Sequence, residues 1–162
     1  MRRTGVAVAS AVAGSLLLSG CGAVDLPLAG IEVGADGAPS VLIRPCGGDT
    51  YQKPSLDGWA GSAEDGPATT GWDVRKEKLS GDAEFPLFSP PKTWQARHLG
   101  TQRLLPEHHY ALRFGHYDTG DSYNGTVDFT AADIAALKPG QVWADNRAMS
   151  LDEFEKLAED SC

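Results

Sequence analysis

Basic residues are scarce in this chain of 162 residues: 14 Lys and Arg stand against 22 Asp and Glu, a net charge of -8. A protein built to hold nucleic acid needs a basic face for the phosphates, so this balance argues against that role. Methionine is almost missing, with two residues of which one is Met1, which excludes a thioether copper shuttle. No CxxC, HExxH or HxH spacing occurs, so no compact metal motif organises the four histidines. GxSxG is also missing; Gly61-Ser62-Ala63 lacks the frame of a strained nucleophile turn. No cofactor motif is present. Long helical runs are disfavoured by 19 Gly and 10 Pro, which speaks against a helix bundle.

What is present begins at the N-terminus. Arg2 and Arg3 precede an apolar run from Val6 to Leu18, too short to span a bilayer comfortably. The run ends in Leu18-Ser19-Gly20-Cys21. This end resembles the lipobox of bacterial lipoproteins, in which the cysteine is acylated and becomes the mature N-terminus. The resemblance implies a signal peptide over 1–20, a lipidated tether over 21–29 with palmitate-type chains on Cys21, and a domain over 30–162. An ordinary secretory signal is the alternative, and the paired arginines leave both Sec and twin-arginine export open. Removing Arg2 and Arg3 leaves 12 basic against 22 acidic residues, a charge of -10. Such a body is repelled by anionic lipid, so the acyl chains must hold it. The expected location is the extracytoplasmic face of the cell membrane.

Two further cysteines remain, Cys46 and Cys162. Outside the cytoplasm a leftover pair suggests one disulfide, with two free thiols as the alternative.

The body reads as mainly β. Gly30–Val33 and Ser40–Cys46 alternate around Ala35-Asp36-Gly37, a hairpin signature. Gly47 to Gly71 is rich in Gly, Asp, Ser and Pro and reads as a long loop with at most one short strand. Trp72–Lys78 alternates as a strand with one wet face, and Phe85-Pro86-Leu87-Phe88 as an edge strand or buried turn. Trp94 to His98 reads as a further short strand. Tyr110, Leu112 and Phe114 share one face of a strand that partners Val127 and Phe129, with Asn124-Gly125 as the turn. Thr130 with Asp133 and Ser150 with Glu153 are capping boxes; the second opens a helix with Leu151, Phe154, Leu157, Ala158 and Cys162 on one stripe. Leu104, Pro106, Tyr110, Leu112 and Phe114 resemble the corner and following strand of fibronectin type III and immunoglobulin-like sandwiches. That resemblance implies an immunoglobulin- or fibronectin III-like β-sandwich with a short C-terminal helix, in which Tyr110 bonds back to upstream backbone. Arg44-Pro45-Cys46-Gly47-Gly48, Phe85-Pro86-Leu87-Phe88 and Leu137-Lys138-Pro139-Gly140 also resemble stretches of a group of small actinobacterial lipoproteins, a likeness that implies location and fold and carries no chemistry.

Three aromatic side chains, Trp59, Tyr117 and Tyr123, are expected to be exposed for stacking on a glycan or anchoring an envelope protein. Trp72, Trp94 and Trp143 read as core or strand-edge packing. A metal set of His98, His109, His116 and Asp118 is conceivable, and the loop Asp118–Ser122 offers oxygens to calcium. The favoured function is a non-catalytic binding module, monomeric and membrane-attached. An envelope hydrolase that is metal- or His-dependent, and a metal carrier, are the alternatives.

Overall fold

The structure is a computed structural model that describes residues 22–61, 66–118 and 121–162. Cys21 and the leader therefore lie outside the described residues, as do Thr119 and Gly120 of the expected calcium loop. In chain order the elements are β1 (Val24–Leu26), β2 (Ala29–Val33), β3 (Pro39–Ile43), β4 (Thr50–Ala60), β5 (Thr70–Asp73), β6 (Leu79–Ser80) and β7 (Ala83–Pro86). A 3₁₀ turn (Lys92–Trp94) follows, then β8 (Arg97–Leu99), β9 (His108–His116), β10 (Tyr123–Thr130), α1 (Ala131–Ala135), β11 (Gln141–Ala144), β12 (Arg147–Ser150) and α2 (Leu151–Ser161). The strands form two sheets. The first has the order β1-β10-β9-β4-β5-β8, with β6 also paired to β4; the second has the order β12-β11-β2-β3-β7. They pack face to face as a sandwich with a short C-terminal helix.

Alternation explains the layers. From the first sheet, Leu56, Trp72, Tyr110, Leu112, Phe114, Val127 and Phe129 point inward; Ile31, Val33, Val41, Ile43 and Phe85 meet them from the second. Tyr51, Trp94, Phe85 and Trp72 contact one another edge to face along the interior. The outer face of the second sheet is not wet. Leu42, Val142, Ala144 and Met149 lie there beneath Phe154 of α2, which is fully buried. Leu42 alternates with Val41 and Ile43, so β3 is apolar on both faces because both are covered. Among the described residues, the outer face of the first sheet has no such helix over it.

The capping boxes form as expected: Thr130 with Asp133 opens α1, and Ser150 with Glu153 opens α2. Two accurately placed ties then hold α2. Cys46 and Cys162 form a disulfide across 116 residues, with Cα atoms 5.5 Å apart. Arg44 grips Glu155, Nη2 lying 2.7 Å from Oε1 and Nε 2.9 Å from the same oxygen. The Tyr110 corner is also present. Its hydroxyl accepts from the Leu105 N–H at 2.9 Å and donates to the Arg103 carbonyl at 3.4 Å.

Five expectations are corrected. The segment 47–71, expected to be a loop, contains the eleven-residue β4, the central strand of the first sheet. Its alternation is broken by a bulge between Gln52 and Ser55, where Lys53 has φ 52°. Gly58 is a strand weakener by propensity, but here a Cβ would meet Thr70 Cγ2 and Tyr110 Cε1, each at 2.6 Å. Asn124-Gly125 is not a turn: both residues lie inside β10, and the ring of Phe114 fills the place of a Cβ on Gly125. The strand expected over Trp72–Lys78 ends at Asp73, and the one expected from Trp94 begins only at Arg97, after the 3₁₀ turn. Within the stretch 21–29 expected to be a tether, Val24–Leu26 pair in parallel with Tyr123–Gly125, and Leu28 and Ala29 are fully buried. The apolar Leu26 and Leu28 draw the chain onto the body as soon as it leaves Gly22 and Ala23.

Candidate functional site

The sandwich has two ends, and β9 runs from one to the other. His108 and His109 begin it; His116 ends it. In a strand, successive side chains face opposite sides, so residues an odd number apart point apart. His109 and His116 are seven apart. His116 therefore follows Tyr110, Leu112 and Phe114 into the interior, only 7 % exposed, and His109 faces outward. His98 lies on the far edge strand β8, exposed, with Nδ1 2.9 Å from Gln102 Oε1. Asp118 is exposed in the loop after β9. The four expected metal-binding residues are thus dispersed by the pleat and the strand order, and no group of three His, Cys, Asp or Glu side chains suited to a metal occurs among the described residues.

His116 belongs instead to a small polar knot beside the disulfide. Its Nδ1 lies 2.6 Å from the Thr50 carbonyl, which can only accept, so that nitrogen carries a proton. Nε2 lies 3.9 Å from Asp49 Oδ2. The imidazole stacks on Tyr123 with ring centres 5.1 Å apart. The Tyr123 hydroxyl accepts from the Cys46 N–H at 3.0 Å and donates to Asp49 at 3.3 Å. Burial, the largest influence, raises the phenol pKa; the Cys46 N–H opposes that and the Asp49 charge adds to it. Tyr123 is 5 % exposed, so it is not the surface aromatic expected from the sequence. Its place is set by register: it shares the inner face of β10 with Val127 and Phe129, a parity legible in the sequence.

Trp59 is likewise corrected. It faces outward from β4 opposite His109, yet it is 9 % exposed because the chain returns over it and its indole N–H donates to the Gly66 carbonyl at 3.0 Å. Tyr117 is exposed as expected, at 53 %. Its ring lies back over Gly115, and its hydroxyl donates to Asn124 Oδ1 at 2.8 Å. Trp72 is core, its indole donating to the Leu87 carbonyl, and Trp94 is buried with it. The Trp143 indole is half-buried and donates to the Asp128 carbonyl on β10.

The open outer face of the first sheet is paired with itself. Arg113 Nη2 lies 3.5 Å from Asp128 Oδ1, and His109 Nε2 4.0 Å from the same oxygen. Arg97 holds Asp73 at 2.8 Å, and Ser55 donates to Asp57 at 3.0 Å. The Arg113–Asp128 and Arg97–Asp73 pairs cross between strands and help hold register, whereas Ser55 and Asp57 pair along β4.

Concave surface is found at both ends. At the end where β1 starts, a cleft of about 770 Å³ is bordered by Gly22, Val24, Asp49, Asp121, Tyr123 and Cys162. At the other end a cleft of about 950 Å³ is bordered by Ala60, Gly61, Pro106, Glu107, His108, His109, Thr130 and Ala132. The second is the more apolar of the two, lined mainly by small residues together with two imidazoles, the Glu107 carboxylate and the Thr130 hydroxyl, which is itself held in the capping box of α1. That is the composition of a ligand-binding cleft: apolar walls with a few polar groups to orient what enters. The sequence reading missed it because Ala60 and Gly61, at the end of β4, lie in the stretch read as a loop. Comparison with protein-family models, curated proteins and solved structures finds no match.

Proposed function

We propose that this chain is a lipid-anchored, extracytoplasmic binding module without catalytic activity, whose cleft at Ala60, His108, His109 and Ala132 takes an envelope protein or glycan. The observation that carries this reading is the placement of that cleft: it lies at the end of the sandwich opposite Gly22, the residue next to Cys21. An anchor on Cys21 would leave it open to whatever approaches from outside. The Leu18–Cys21 lipobox supports acylation and processing of the leader, and the disulfide accords with an oxidising compartment. The immunoglobulin-like reading draws support from topology. With β2, β3 and β7 as strands A, B and E, and β4, β5, β9 and β10 as C, C′, F and G, the two sheets take the A-B-E and C′-C-F-G orders of that architecture. The dispersed histidines lend no support to a hydrolase or a metal carrier.

The test is crosslinking of the acylated protein in its own membranes. Ala132→Arg places a long cation over the cleft, and Ala135→Arg, on the same helix outside the lining, is the control. A partner captured by the native chain and the control but lost in Ala132→Arg supports the reading. Equal capture by all three, or the same capture with the leader-less chain free in solution and no cleft dependence, refutes it. Mass spectrometry of Cys21, and loss of membrane fractionation in Cys21→Ser, check the anchor separately.

A further inference from the structure

We infer that the end of the sandwich carrying Gly22 is a lipid-facing surface, on which the body stands upright rather than swinging on a leash; this rests on the anchor reading above. Gly22, the first described residue, lies at this pole, and in the sequence only Gly22 and Ala23 separate Cys21 from β1. Three residue steps from Cys21 to Val24 span at most about 11 Å. From there the chain is fixed. Val24 donates its N–H to the Ser122 carbonyl at 3.3 Å, and Val24, Asp25 and Leu26 register with Tyr123, Asn124 and Gly125. A side-chain relay adds to the backbone pairing: Tyr117 donates to Asn124 Oδ1 at 2.8 Å, and Asn124 Nδ2 donates to Asp25 Oδ1 at 2.9 Å. The strand that leads from the acyl chains is thus stitched to the loop at the tip of the β9–β10 hairpin.

The surface there suits a headgroup layer. Among the described residues, the large exposed hydrophobic side chains are Val24, Tyr117 and Leu99, and the first two flank this pole. Tyrosine favours the membrane–water boundary, where its ring is half desolvated and its hydroxyl stays wet. Asp25, Asp49, Asp118 and Asp121 share the pole, so the surface fits a zwitterionic headgroup layer and is repelled by an anionic one. The acyl chains bring the pole to the lipid; Val24 and Tyr117 make the contact that keeps it there. β10 runs away from this pole for eight residues, which at roughly 3.4 Å per step lifts Thr130 and the second cleft about 24 Å above it.

The experiment uses the full acylated protein in phosphatidylcholine vesicles whose acyl chains are brominated near the headgroup. Tyr117→Trp and Ala132→Trp add a fluorophore at either pole, read as the difference from the native chain, whose Trp59, Trp72 and Trp94 are buried and whose Trp143 is half-buried. The expected result is loss of the added emission at 117 and none at 132. Anionic lipid should weaken the loss at 117. Val24→Trp is a second probe of the same pole should Tyr117→Trp fail to fold. Protein that floats with the vesicles but is quenched at neither 117 nor 24, or equally at 132, overturns the inference while leaving the anchor standing. Protein that does not float, with Cys21 unmodified by mass, overturns the anchor and the inference together.

Discussion

Arg44, the first residue after β3, holds Glu155 in the middle of α2 through two guanidinium nitrogens, and two positions later Cys46 bridges to Cys162 just beyond the end of the same helix. One short segment therefore ties both the middle and the end of α2 to the second sheet. Arg44 is largely covered and Glu155 partly open, so the pair is neither a free surface ion pair nor a fully buried one. Burial, the largest single influence, lowers the guanidinium pKa, but the Glu155 bond and charge together with the Asp82 and Glu84 charges outweigh it and raise it.

The first prediction concerns that pair. A double-mutant cycle with Arg44→Met and Glu155→Gln should give a coupling of about 1–2 kcal/mol, below the range of a fully buried charged bond because Glu155 is open to water. Urea unfolding of the four chains measures it. A coupling near zero would show that solvent screens the pair fully.

The second concerns the bridge. Closing a loop of 116 residues constrains the unfolded chain, and reduction should cost about 2–4 kcal/mol. For a domain of this size that is a fall in Tm of roughly 10 °C. Reduction should also expose the effect of Arg44: Arg44→Met should loosen α2 more in the reduced protein than in the oxidised one, read by hydrogen exchange of the Phe154 amide. An unchanged Tm on reduction would contradict the bridge.

The third concerns alkaline pH. Tyr51 is almost fully buried, and burial first, with the Asp82 charge second, pushes its phenol from 10.0 up to about 12. The folded chain therefore keeps this proton between pH 10 and pH 12, where the unfolded chain has lost it. Its contribution is complete below pH 10 and is lost as pH rises through 12, about 2–3 kcal/mol in all. Urea unfolding at pH 9 and pH 11.5 should show a steeper loss for the native chain than for Tyr51→Phe. Equal losses would place the titration elsewhere.

The fourth concerns the corner. Gly58→Ala forces a methyl group against Thr70 and Tyr110 and should cost about 1–3 kcal/mol by overpacking. Tyr110→Phe leaves the Leu105 N–H and Arg103 carbonyl without their partner and should cost about 1 kcal/mol or more. Because Gly58 lies against the Tyr110 ring, the two changes should not add; thermal melts of the single and double variants measure this.

The parts of the fold that were legible from the sequence have short-range signals. The β2–β3 hairpin announces itself by alternation around Asp36-Gly37, both helices by capping boxes, and the Tyr110 corner by its spacing. The Cys46–Cys162 pairing follows from counting. The strand β4 was hidden because its inward positions after the bulge are Pro54, Leu56 and Gly58, two of them poor strand formers, and the glycine makes sense only once Tyr110 and Thr70 lie against it. The hairpin of β11 and β12 turns through Asp145 and Asn146, both at positive φ, a two-residue signal that the sequence reading passed over. Site residues were less legible for the same reason. The parity of β9 already separates His109 from His116, but the burial of Trp59 depends on a carbonyl seven residues away, and the cleft beside Ala132 depends on strands that meet only in three dimensions.

The lengths of the outermost strands have a consequence for a protein that is crowded in two dimensions. Unpaired strand edges are templates on which copies of a chain can polymerise. Here β10 offers little of its edge, since β1 covers Tyr123–Gly125 and the Trp143 indole occupies the Asp128 carbonyl. The other margins among the described residues are β1 at three residues with Asp25, β8 at three with Arg97, β12 at four with Arg147, and β7 at four ending in Pro86. None gives a neighbouring molecule a long, uncharged run to add to, so dense packing on one surface need not become a fibre.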